Sequence, residues 1–184
     1  MSRYSRAASA DPEADPEALG HTLAATEQAV AQRLAGLDLD VAAMIAVQSL
    51  YRAANAVRNH LERTVLAPHQ LTWTGWVVLW VVWIWDEIET RHVAVEAGIS
   101  KGTLTGVVKT LEGRGLLRRS THPDDGRRVL LTLTDPGRDL MTSLFPAFNR
   151  QESAITAGLG AERIGTLAQG LRVMVAGLEP PLAP

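Results

Sequence analysis

Hydrophobic and polar positions alternate with a helical period along most of this chain and change to a period of two only once. From about Pro16, Leu19, Leu23, Val30, Leu34 and Leu37 recur at spacings that predict a helix with a narrow apolar face. Asp38 or Asp40 is placed to cap a longer helix from Val41 to about Leu66, which should stop before Pro68. Its stripe takes in Met44, Ile45, Val47, Tyr51, Ala54, Val57, Leu61 and Val65. Thr72 then caps a helix that holds all five tryptophans, Trp73, Trp76, Trp80, Trp83 and Trp85. The first four are spaced 3, 4 and 3, so they share one stripe, while Val77, Leu79, Val81, Val82 and Ile84 occupy the other faces. A helix apolar on most sides is buried on most sides, and this one is expected to be central, joining two lobes. Two readings of the stripe remain open: core packing, or one or two indoles lining a pocket for an aromatic ligand.

Asp86 to Thr90 should end that helix. Thr90 is placed to cap a short one, Gly98 supplies a turn, and Ser100 caps a second, with Leu104, Val107, Val108 and Leu111 as its buried stripe. Ala94 is small where the two helices must cross, and Ile99 fills the angle between them. These features in register predict a helix-turn-helix. Next comes the period of two: an extended segment from Arg118 and Arg119, a tip at His122-Pro-Asp-Asp-Gly-Arg-Arg, and a return strand with Val129, Leu131 and Leu133 alternating. A basic two-stranded ribbon beside a helix-turn-helix is a wing. Thr134, Asp135 and Pro136 start a further helix, expected to reach about Ala157 with a kink or break at Pro146. A last helix spans about Ala161 to Leu178, with Ile164, Leu167, Leu171, Val175 and Leu178 on one face. The fold class is therefore mainly α with a small β-wing. Domains are expected at 16–66 and 135–179 (dimerisation helices) and 67–134 (winged helix-turn-helix), between a disordered tail at 1–15 and a short tail at 180–184.

Composition changes this picture little, but charge distribution sharpens it. The chain has 184 residues, 46% hydrophobic, with net charge −2. Between Arg91 and Arg128, however, eight basic residues face four acidic ones, so this segment carries +4 and the remainder −6. Such a basic segment in an acidic body favours one docking surface for a polyanion. The outward face of the second helix carries Ser100, Lys101, Gly102, Thr103, Thr105, Gly106 and Lys109. Two glycines there cost a solvated helix ~1 kcal/mol each against alanine, but let the backbone approach a duplex closely. Thr105 suits a thymine methyl or a base-edge acceptor, Lys101 suits guanine or phosphate, and the helix N-terminus attracts phosphate. On the ribbon, Arg118, Asp125, Arg127 and Arg128 complete the candidate DNA surface. Arg127 is placed to enter the adjacent minor groove, with Asp125 holding its guanidinium.

Other chemistry is excluded. With no cysteine there are no disulfides, thiolate metal sites or catalytic thiols. The five histidines form no pair at helical spacing and have no carboxylate cluster beside them, so no metal site is expected. Ser120, His122 and Asp124, neighbours on one hairpin, cannot adopt triad geometry, and no enzyme activity and no cofactor are expected. The N-terminal stretch has no apolar run, and Val77 to Trp85 offers only nine apolar residues against the ~20 that span a bilayer. A cytoplasmic protein without a membrane partner is expected.

The runs LTWTGWVVLWVVW, GISKGTLTGVVKTLEGRGLLRR and PDDGRRVLLTLTDPGRDL resemble the multiple-antibiotic-resistance regulator (MarR) family of winged-helix repressors. The family's wing signature of Asp, any residue, Arg matches Asp125-Gly126-Arg127, and its Leu-Thr before a helix matches Leu133-Thr134. The likeness covers about 41–178, densest over 71–140, and the stretch before about residue 38 is longer than is usual in the family. It implies an obligate homodimer with interleaved first and last helices, a near-palindromic operator, and release by a small, often aromatic ligand. The implied ligand cleft would be walled by Tyr51, Arg52, Asn55, Trp76 and Trp80. The absence of cysteine disfavours the oxidation-sensing branch of the family. A dimer also has a physical rationale: one recognition helix reads few base pairs, so two half-sites ~34 Å apart supply specificity. The competing function, a small-molecule sensor of the same fold without DNA recognition, is opposed by the presence of Lys101, Thr105 and Arg127.

Overall fold

The computed structural model describes residues 23–178 and divides the chain into two compact units, with the boundary after Gln48. The first unit holds α1 (Leu23–Arg33) and the start of α2 (Val41–Leu61). Asp40 is the residue that caps α2, its Oδ1 accepting from the Ala43 amide at 2.9 Å. None of the described side chains in this unit is fully buried. The expected disordered tail and the beginning of the first expected helix lie outside the described residues.

In the second unit α2 ends at Leu61, and its continuation to Leu66 is a wider turn in which the Ala67 amide reaches back to the Glu62 carbonyl. The chain cannot continue as a helix through Pro68, which has no amide to donate, so the last turn loosens before a short 3₁₀ segment at Ala67–His69. α3 (Trp73–Trp85) starts where expected, the Thr72 hydroxyl accepting from the Gly75 amide at 3.1 Å. It buries Gly75, Trp76, Val78, Leu79, Val81 and Val82. The core also draws on Leu104, Val108 and Leu111 of α5 (Lys101–Gly113) and on Met141, Leu144 and Phe148 of α6 (Asp135–Thr156). Trp73, Trp76, Trp80 and Trp83 share the stripe their spacing predicts, laid against Phe145 and Phe148 of α6. Trp85 lies off that stripe and is exposed.

The sheet has one strand more than the expected ribbon. β1 (Glu87–Glu89), β2 (Leu117–His122) and β3 (Asp125–Leu133) form an antiparallel sheet in the order β1-β3-β2. Ile88 pairs with Leu131, which also faces Arg119, and a bulge falls between Thr121 and His122. Three residues show no periodicity of their own; β1 exists because β3 arrives beside it, Ile88 pairing with Leu131 far along the chain. At its base β3 is covered on both faces, so Leu130 and Thr132 are buried along with Leu131 and Leu133.

The Thr134 hydroxyl accepts from the Gly137 amide and starts α6. Gly137 sits so close to the Leu116 carbonyl that a Cβ there would collide with backbone. The expected break at Pro146 does not occur: α6 is continuous through it. Pro146 lies on the exposed side, while Met141, Leu144 and Phe148 anchor the helix to the core on both sides of it. Tertiary packing thus outweighs one lost amide bond. α7 (Ala161–Leu178) buries no residue, and Ile164, Leu167, Val173, Val175 and Leu178 are exposed along it.

Candidate nucleic-acid interface

The helix-turn-helix is α4 (Thr90–Glu96) and α5. Thr90 is not its cap, as the sequence suggested; Glu89 holds that position without a side-chain cap bond, and Thr90 is the first helical residue. The chain turns at Gly98, whose φ of 61° is a left-handed conformation that favours glycine. Ala94 is buried at the crossing and Ile99 packs against the core. Ser100 caps α5, its Oγ accepting from the Thr103 amide at 3.0 Å and lying 2.8 Å from the Thr103 hydroxyl. Leu104, Val108 and Leu111 are buried and Val107 half-buried, which turns Lys101, Gly102, Thr105, Gly106 and Lys109 outward to solvent. The Thr105 hydroxyl donates to the Lys101 carbonyl at 2.9 Å. A Cβ at Gly106 would meet nothing within 4 Å, and one at Gly102 only an ordinary contact with the Ser100 hydroxyl. Nothing inside the chain therefore requires glycine at either position.

The wing tip is Pro123–Asp124, between β2 and β3. Asp125 does not hold the Arg127 guanidinium; its Oδ1 accepts from the Arg127 backbone amide at 3.0 Å and so orders the turn. Arg127 is left exposed, with no ion pair among the described residues. Arg118 is exposed on β2 and its Nε donates to the Thr132 hydroxyl at 3.0 Å. Arg128, expected on the DNA surface, has a side chain 36% exposed and is tied to Glu89, which also pairs with Arg91 at 2.8 Å.

Two basic residues missed as site candidates complete the surface. Arg91 and Arg119, with Lys101 and Thr105, border a cleft of about 340 Å³ over Leu104 and Val108. Both arginines belong to the basic segment between Arg91 and Arg128, but only folding brings them beside the start of α5. Arg119 also donates to Glu112, with Nε at 3.0 Å, and this bond, ahead of the charge attraction, holds the Glu112 carboxyl below the usual carboxylate range. Arg114 has a scaffolding role, donating to the His69 and Gln70 carbonyls at 2.8 and 2.7 Å.

The five candidate ligand residues fare differently. Trp76 is 4% exposed and stacks on Phe148 at 4.4 Å between ring centroids, so for this indole the core reading replaces the pocket reading. Trp80 is half-buried and stacks on Phe145 at 4.9 Å. Tyr51 is 72% exposed, Arg52 is exposed and Asn55 is half-buried. Among the described residues no three His, Asp or Glu side chains group as a metal site, and no helix is long and apolar enough to cross a membrane.

The comparisons with known proteins agree with this geometry. Residues 71–129 match the MarR family model. The HTH-type transcriptional regulator YwaE of Bacillus subtilis is 36% identical over 121 residues, which cover 66% of this chain and 71% of YwaE. The structure of BpsR from Bordetella bronchiseptica, whose DNA binding is regulated by 6-hydroxynicotinic acid, superposes with a TM-score of 0.64 at 29% identity, over 71% of this chain and 98% of BpsR. Sco3205 of Streptomyces coelicolor, a MarR family regulator solved with DNA, gives 0.71 over 79% of this chain and 92% of its own; at 23% identity it speaks for the fold alone. With a winged helix of this geometry and relatives of this kind, the chain belongs to the MarR family and is a helix-turn-helix transcriptional regulator.

Proposed function

We propose that this regulator acts in the cytoplasm as a homodimeric repressor on a near-palindromic operator and is released by a small aromatic ligand. The observation that carries the DNA-binding part is the outward face of α5, where Lys101, Thr105 and Lys109 flank two glycines that no internal packing requires. Ser100, Gly102, Thr103 and Gly106 line the same approach. Arg127 enters the minor groove, Arg118 lies along the backbone, and Asp125 keeps the turn between them ordered.

Support for the homodimer comes from the ends of the chain. α7 buries none of its residues, and Ile45, Val47 and Leu50 on α2 are exposed. Apolar helix faces of this extent find their partner in a second copy, which also supplies two recognition helices about one duplex turn, ~34 Å, apart. The ligand reading leans on BpsR and its response to 6-hydroxynicotinic acid. In this chain Tyr51, Arg52, Asn55 and the free edge of Trp80 are the residues proposed to meet such a ligand once the dimer forms. No catalytic step is assigned.

The test is a gel-shift titration with the DNA upstream of the chain's own gene, repeated at rising salt. Specific binding should weaken about a thousandfold or more between about 50 and 200 mM salt if six or more phosphates are neutralised. Equal affinity for scrambled DNA would sink the reading. Arg127→Ala should weaken binding mainly where the flanks are A·T-rich, and unchanged affinity would remove the wing tip from the site. An aromatic carboxylate or phenol should quench tryptophan emission and release the DNA.

A further inference from the structure

We propose that Glu89 is a positioning residue that sets the wing against the recognition helix, and that Arg128 is its anchor and not a DNA contact. The inference rests on the DNA-binding reading above. Glu89 ends β1 and immediately precedes α4, and its side chain is only 8% exposed. Oε1 is ion-paired with Nη2 of Arg128 on β3, and Oε2 lies 2.8 Å from Nε of Arg91 on α4. One carboxylate therefore joins β1, the first helix of the helix-turn-helix and β3, the strand that carries Arg127.

The charge balance favours this arrangement over alternatives. A buried carboxylate without partners is strongly disfavoured, and two guanidiniums supply the opposite charge. For Arg128 the dependence is mutual. Its Nε–H is buried without a hydrogen-bond partner, and Glu89 is the one ion-pair partner its guanidinium has among the described residues. Successive residues of a strand point to opposite faces. Holding Arg128 against the body thus directs Arg127 to solvent, where it can reach a groove. The two arginines are adjacent residues of the same chemistry, and Glu89, 39 residues earlier, pairs with one of them. A one-residue slip of β3 would exchange their roles, and the bridge opposes that slip.

The experiment compares Glu89→Gln, Arg128→Gln and the double variant in the full chain. Affinity is measured for operators differing only in A·T-rich or G·C-rich flanks, and amide hydrogen exchange is followed in β3 and α3. Each single change should lower affinity for the A·T-flanked operator about tenfold, equivalent to about 1.4 kcal/mol. The effect should be smaller on the G·C-flanked operator. Amides of residues 125–129 should exchange faster while those of α3 keep their protection, which separates a loosened wing from a protein that fails to fold. The double variant, with two neutral amides able to pair, should recover most of the loss. Arg128→Gln weakening both operators equally while Glu89→Gln matches the wild type would overturn the proposal and make Arg128 a direct contact. So would additive losses in the double variant. Wild-type protein that cannot tell operator from scrambled DNA would overturn the DNA-binding reading as well. Faster wing exchange in Glu89→Gln with unchanged affinity would overturn this inference alone.

Discussion

α3 and α5 are both 13 residues long, and both begin on a hydroxyl cap. They have opposite relations to the rest of the molecule. α3 buries six of its residues, and four of its indoles are laid on the phenylalanines of α6; up to Trp83 its sequence is accounted for by what it touches inside the chain, while Ile84 and Trp85 at its end are exposed. α5 buries three, Leu104, Val108 and Leu111, and presents a polar face with glycines that lowers helix stability for no internal benefit. A helix explained from within is scaffold. A helix whose cost has no internal explanation faces a partner that is absent from the free protein.

This contrast can be broken by mutation, and the largest effect should come from α3. Trp76→Ala removes an indole stacked on Phe148 and Trp80 and should cost about 3–5 kcal/mol of stability. Urea unfolding measures it, and the protein that remains folded should keep its operator affinity. A loss of affinity without a loss of stability would mean that α3 belongs to the reading surface. On α5 the two quantities should move in opposite directions. Gly106→Ala should raise stability by about 1 kcal/mol, since its Cβ would occupy open space. The same methyl should weaken operator binding about tenfold, equivalent to about 1.4 kcal/mol, by holding the backbone off the groove. Stability and affinity rising together would show that this glycine is not an approach position.

The smallest effect concerns the bond between α5 and the wing. Arg119 donates to Glu112 and lowers its pKa in the folded protein. The folded form therefore binds the Glu112 proton more weakly than the unfolded chain does. The stabilisation is present above the ordinary carboxylate pKa of about 4.3 and fades as pH falls through the lowered value. The stability difference between wild type and Glu112→Gln should accordingly be small at neutral pH, because the pair is largely solvated. It should shrink toward zero in acid. A difference that grows on acidification would contradict the pairing.

What the sequence determined by itself was decided by forces acting over a few residues. Caps at Thr72, Ser100 and Thr134 bond amides three positions on, and Gly98 supplies a left-handed turn that a side chain would strain. The tryptophan stripe and the buried face of α5 follow from helical spacing. For these reasons the helix-turn-helix, the wing and the outward face of the recognition helix were legible in one chain, as was the family likeness. Tertiary structure alone decided the rest. β1 exists through pairing with β3, Pro146 is tolerated because Leu144 and Phe148 pin the helix beside it, and Trp76 became core because α6 lies against it. Asp125 was expected to hold a guanidinium and bonds a backbone amide instead, a choice set by the turn at the tip. Arg127 and Arg128 are adjacent residues of the same chemistry; a carboxylate far away in the chain pairs with Arg128, and Arg127 has no ion pair among the described residues. Local sterics and hydrogen bonds leave their mark in residue spacing, whereas partners brought together by folding leave none.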